Sequence, residues 1–95
     1  MVKVTHAAIT KITNEVQDVI NEGKKPLIRF SMGIGWGGPQ LRLTLEESAL
    51  DTDEIFELDG IQFLVNERDQ VYFNNVKIDY TKSIFGGGQF TILRV

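Results

Sequence analysis

Two stretches of alternating apolar and polar residues flank a glycine-rich break, and that arrangement limits what the chain can fold into more than any other feature. Before the break, Ile28, Phe30 and Met32 alternate with Leu27, Arg29 and Ser31; after it, Leu41, Leu43 and Leu45 alternate with Gln40, Arg42, Thr44 and Glu46. A period of two places successive side chains on opposite faces of a strand. The break, Met32-Gly-Ile-Gly-Trp-Gly-Gly-Pro-Gln40, sets four glycines around the single tryptophan. Glycine supplies the positive φ angles of turns, so the segment reads as two strands joined by a wide hairpin turn. Further strands are expected at Glu54 to Leu58, Ile61 to Asn66, Val71 to Phe73, Val76 to Tyr80 and Gln89 to Leu93, with the turn pairs Asp59-Gly60 and Asn74-Asn75 among them.

Ahead of the strands the period changes. After Val2-Lys-Val4, Ile9, Ile12, Val16, Val19 and Ile20 recur at three- and four-residue steps, which predicts an amphipathic helix with Thr5 as N-cap and Gly23 as its stop. Its other face, Lys11, Asn14, Glu15 and Asp18, reads as solvated. The expected fold is mainly β (α+β): two small sheets, packed on each other or barrel-like, with one N-terminal helix over a side, all in a single domain, 1–95.

Composition narrows the function. Hydrophobic residues are 42% and charged residues 24%, the balance of a folding chain. Ten Lys and Arg against thirteen Asp and Glu leave a net charge of -3, which repels a phosphate backbone and argues against nucleic acid as partner. No apolar run reaches membrane-spanning length and no signal-peptide core opens the chain, so no membrane role and a cytoplasmic location are expected. There is no cysteine. That removes disulfides, thiolate metal ligands and sulfur nucleophiles together.

Gly33-Ile-Gly-Trp-Gly-Gly38 satisfies the spacing of a dinucleotide fingerprint, but Pro39 and a strand follow it where a helix N-terminus is required. The acids of Glu46-Glu-Ser-Ala-Leu-Asp-Thr-Asp-Glu54 lack the alternation and the glycine of a calcium loop and read as a solvated connection. His6 has no second His or Cys as co-ligand and reads as exposed or capping. Ser31, Ser48 and Ser83 have no base assigned to them, and Asp59 and Asp79 carry little specificity as acid–base groups. Phe85-Gly-Gly-Gly-Gln-Phe90 lacks the Lys-Ser/Thr pair of a phosphate loop and reads as a turn or strand entry.

Taken in order, the segments "VTHAAITKI" at 4–12, "LIRFSMGIGWGGPQLRLTLEE" at 27–47, "DEIFELDGIQFLVNE" at 53–67 and "IDYTKSIFGGGQF" at 78–90 resemble the A-type iron–sulfur cluster carriers, the HesB-like family of iron–sulfur biogenesis proteins. That resemblance implies a cluster or iron carried through three cysteines, one in a Gly-Cys-Ser-Gly loop and two in a motif near the C-terminus. Here Trp36 stands at the position of the loop cysteine, and the 95 residues reach Val95 before the tail pair would arrive. Indole offers an N–H donor and no ligand lone pair.

The resemblance therefore implies a non-enzymatic family member without a cofactor or metal site, acting through protein partners of iron–sulfur assembly or through its own copies as a homodimer or tetramer. The contact residues it points to are Gly35, Trp36, Gly37, Gly38, Gln40 and Arg42, together with the C-terminal segment. Trp36 is suited to anchor such a contact, and equally suited to fill space inside the domain. Two other readings stay open: a small-molecule or peptide-binding module built on Trp36, Gln40 and Arg42, and weak iron binding by oxygen ligands of the 46–54 stretch, with Asp51 and Asp53 as the residues to substitute.

Overall fold

The computed structural model describes residues 2–35 and 38–95. The elements follow as β1 (Val2–Val4), α1 (His6–Glu15), α2 (Gln17–Asn21), β2 (Leu27–Gly35), β3 (Gly38–Glu46), β4 (Asp53–Leu58), β5 (Ile61–Asn66), a 3-10 turn over Glu67–Tyr72, β6 (Val76–Lys82) and β7 (Gly88–Arg94). They form two open sheets, one in the order β1-β6-β7 and one in the order β3-β2-β5-β4. The sheets pack and do not close into a barrel. The β2–β5 and β1–β6 pairs are parallel, and the others are antiparallel.

Alternation decides which side chains meet. Ile28 and Phe30 of β2, Phe63 and Val65 of β5, and Val76 and Ile78 of β6 turn inward, and Ile9, Ile12 and Val16 of the helical segment join them in one buried cluster. Phe30 and Phe63 stack with centroids 5.0 Å apart, and Phe56 stacks on Phe63 at 5.3 Å. Burying a side chain of this size contributes about 1.5–3 kcal/mol. The Asp59-Gly60 pair makes the β4–β5 turn as expected, with φ of 50° and 82° and Leu58 paired to Ile61.

Thr5 caps α1 by accepting from the Ala8 N–H at 3.2 Å, and its own hydroxyl donates to Asp79 Oδ1 at 2.6 Å. The helix start is thereby tied to β6. At the other end Gly23, with φ of 79°, closes the segment: its N–H donates to the Ile20 carbonyl at 2.9 Å and the Lys24 N–H to that of Val19 at 3.3 Å. This pair of bonds satisfies carbonyls that a helix C-terminus leaves open.

Two expectations are corrected, and one strand was not expected. The helix is not continuous to Gly23: it breaks at Val16, which leaves helical geometry at φ -107° and ψ 20° while its side chain stays in the core. No strand forms at Val71 to Phe73. Asn66 accepts from the Arg68 N–H at 3.3 Å and starts the 3-10 turn, leaving Val71 70% exposed while Phe73 enters the core. Val2–Val4, to which the sequence reading assigns no element, is a strand parallel to β6 with Val4 opposite Ile78.

Candidate functional site

The glycine-rich segment lies at the end of the β2–β3 hairpin. Pairing runs from Leu27 opposite Glu46 to Gly35 opposite Gly38, so the strands extend further into the glycines than alternation alone implied. Trp36 and Gly37, two of the expected contact residues, lie outside the described residues. Gly38 has φ of 108°, a backbone conformation that L side chains rarely adopt.

Gly33 and Gly35 have a different reason to be glycine. A Cβ on Gly33 would collide with Nε of Arg42, and one on Gly35 with Oε1 of Gln40. The long side chains of Gln40 and Arg42 thus lie across a floor of backbone and bring an amide and a guanidinium together on one face of the hairpin. On the opposite face, beyond the core contacts of Met32 and Leu41, Ile34 is 88% exposed. The hairpin end presents two polar groups on one side and an aliphatic point on the other. None of the three described cavities is lined by Gly35, Gly38, Gln40 or Arg42.

Further down the same polar face sits a group that alternation did not distinguish. Arg29, buried on β2, donates from Nε to Glu46 Oε1 at 2.7 Å, from Nη1 to Asp53 Oδ1 at 2.6 Å and from Nη2 to Asp53 Oδ2 at 2.8 Å. Asp53 Oδ2 also accepts from the Leu50 N–H at 2.7 Å, and Oδ1 from Asn66 Nδ2 at 3.0 Å. The Arg29 guanidinium holds the Asp53 carboxyl far below the usual carboxylate range, against the opposing effect of burial, and Leu50 and Asn66 add to the lowering. The same bonds raise Arg29.

The 46–54 stretch is therefore not a solvated connection throughout, because two of its acids are clamped to the sheet. Four accepted bonds use the lone pairs of Asp53, which removes it as an oxygen ligand for iron. Among the described residues no group of three or more His, Asp or Glu is placed to hold a metal ion. With no thiol in the sequence and an indole at position 36, the donor set does not fit an iron–sulfur cluster.

The remaining sequence candidates have structural surroundings. His6 is exposed at the first turn of α1. Asp79 is lowered by the Thr5 hydroxyl and then by the Tyr80 N–H. Ser83 Oγ accepts from the Phe85 N–H at 3.2 Å within the β6–β7 turn. No helix among the described residues is long and apolar enough to cross a membrane.

The comparisons with known proteins agree with this architecture. The chain is 31% identical over 85 residues to the iron–sulfur cluster insertion protein ErpA of Hydrogenovibrio crunogenus, covering 90% of this chain and 74% of that one. It is 30% identical over 91 residues to a protein of Aquifex aeolicus, covering 95% of this chain and 76% of the relative. Its fold matches the crystal structure of IscA with the [2Fe-2S] cluster at a TM-score of 0.76 and 20% identity, over 99% of this chain and 82% of that one. No protein-family model matches. The chain belongs to the HesB-like, A-type family of iron–sulfur biogenesis proteins, and it lacks cysteine.

Proposed function

We propose that the chain is a cytoplasmic, non-enzymatic accessory protein of iron–sulfur cluster biogenesis that meets protein partners and does not itself carry a cluster. The observation that carries this reading is the total absence of cysteine from a chain whose family membership is shown. An iron–sulfur cluster is held by thiolates, and neither an indole nor an exposed guanidinium replaces one. The contact falls to the hairpin end: Gly35, Trp36, Gly37 and Gly38, with Gln40 and Arg42 beside them. Arg is frequent where interfaces derive their binding energy, and Gln40 adds amide donors and an acceptor.

The test uses the single tryptophan. With fluorotryptophan incorporated, Trp36 gives one fluorine resonance, which is followed while purified iron–sulfur assembly proteins of the same cell are added in turn. A saturable shift with one of them, weakened at least tenfold by Arg42→Glu, is the expected result. An unchanged resonance with every one rejects the contact role of this hairpin.

A further inference from the structure

The β6–β7 hairpin ends in an apolar knob. At its turn the Ser83 N–H donates to the Gly87 carbonyl at 3.0 Å and the Gly86 N–H to the Ser83 carbonyl at 3.2 Å, with Gly86 and Gly87 at φ of 89° and 74°. These bonds, with the one from the Phe85 N–H to Ser83 Oγ, fold the backbone inward on itself and leave Ile84 and Phe85 outside, each 92% exposed. Two adjacent large apolar side chains held in water at the tip of a hydrogen-bonded turn have no role in the core of their own chain. Lys82, exposed, stands two residues before them.

The other end of the same hairpin borders a hole. Where edge strand β4 of one sheet faces edge strand β1 of the other, the sandwich stays open around a cavity of about 550 Å³. Phe56, Val65 and Phe73 give it apolar walls, Val2 closes it from β1, and the exposed carboxylates of Glu54 and Glu57 line it as well, Glu57 paired with Lys25 Nζ at 2.9 Å. This volume lies within the range of roughly 300–1,000 Å³ typical of binding pockets. Apolar walls with acids beside them fit an apolar group followed or preceded by a cation, which is the composition of the Lys82-Ser-Ile84-Phe85 tip.

The tip cannot reach the cavity of its own chain. Asn74 lines the cavity just before β6 begins at Val76, and the tip follows β6's other end at Lys82. At about 3.3 Å per residue that strand separates them by roughly 20 Å. We propose that the Ile84–Phe85 tip of one copy inserts into the β1–β4 cavity of a second copy, with Lys82 set against Glu54, the cavity carboxylate that has no ion pair among the described residues. Because knob and hole are different surfaces, the contact is either made twice, reciprocally, in a two-fold pair or repeated head-to-tail until a ring closes. The contact does not rest on the reading of the β2–β3 hairpin and holds whether or not that hairpin meets a partner.

Sedimentation analysis of three forms tests it: the natural chain, a tip variant with Ile84→Ser and Phe85→Ser, and a cavity variant with Glu54→Arg and Leu58→Arg. All four substitutions fall at exposed positions, and circular dichroism checks that each form is folded. The natural chain should associate as concentration rises toward about 1 mM, where even a contact of about 4 kcal/mol is seen. Each variant alone should stay monomeric. Mixed in equal amounts they should form a one-to-one dimer and nothing larger, because the intact tip of one meets the intact cavity of the other. A natural chain that stays monomeric, a tip or cavity variant that associates as the natural chain does, or a mixture that remains monomeric overturns the proposal.

Discussion

Arg29 and Asp53 are joined by two parallel hydrogen bonds, Nη1 to Oδ1 at 2.6 Å and Nη2 to Oδ2 at 2.8 Å, between a guanidinium that is 9% exposed and a carboxylate that is fully buried. They lie 24 positions apart in sequence and fasten the segment after β3 onto the outer face of the four-stranded sheet. A buried pair of this kind is a point of dependence. Its formation carries a desolvation cost, but removing one partner strands the other charge without water.

Arg29→Met should accordingly cost about 3–5 kcal/mol in urea unfolding, since Asp53 and Glu46 both lose their partner. Arg29→Lys should fall between that variant and the natural chain, because a point charge cannot reproduce the two-pronged geometry. A loss below about 1 kcal/mol for Arg29→Met would show that the pair does not hold the fold.

The same pair sets the acid limb of stability. Asp53 has a folded-state pKa depressed below its unfolded value of about 3.9, so its contribution is present above that value and is lost as pH falls through the folded one. Asp79 is shifted in the same direction. Unfolding free energy should hold level down to about pH 5 and decline below about pH 4. In Asp53→Asn the starting stability should be lower and the decline shallower. An equal decline in both forms would assign acid sensitivity to other carboxylates.

Gly33 and Gly88, each within a strand, should respond differently to an added methyl group. At Gly33 the nearest atoms to an added Cβ are Nε, Cζ and Cδ of the exposed, flexible Arg42 side chain, which can swing away. Gly33→Ala should therefore cost less than about 1 kcal/mol. At Gly88 the added atom meets the Tyr80 hydroxyl and, at 2.9 Å, the backbone carbonyl of Thr81, which cannot move without opening the β6–β7 pair. Gly88→Ala should cost about 1–3 kcal/mol by urea unfolding. Equal costs at the two positions would contradict these surroundings.

The period-two segments place five strands within two residues of where they lie, and the turn at Asp59-Gly60, because alternation and turn chemistry are local properties; β2 runs three residues past Met32, to Gly35, because its glycines carry no side-chain alternation to read. What escaped is non-local. Arg29 looked like any polar residue on a solvated face until β4 brought Asp53 beside it. The β1–β4 cavity exists only through the packing of two sheets, and no residue in it carries a signal of its own. Val71 and Phe73 matched a strand in composition, yet the Asn66 side chain turned the chain into a 3-10 segment first.

Val71→Lys measures that last point directly. Val71 is 70% exposed, so the substitution should change stability by no more than about 0.5 kcal/mol. A loss of about 2 kcal/mol or more would return Val71 to the core position that a strand there implies.

A thiol-free member of this family should hold no iron–sulfur cluster. The direct measurement is iron and acid-labile sulfide per chain, with the visible spectrum, after anaerobic incubation with ferrous iron and sulfide followed by gel filtration. Colourless protein with neither element above the level of an unrelated control is the predicted result. Iron and sulfide eluting with the chain in stoichiometric amounts, with a visible chromophore, would contradict it.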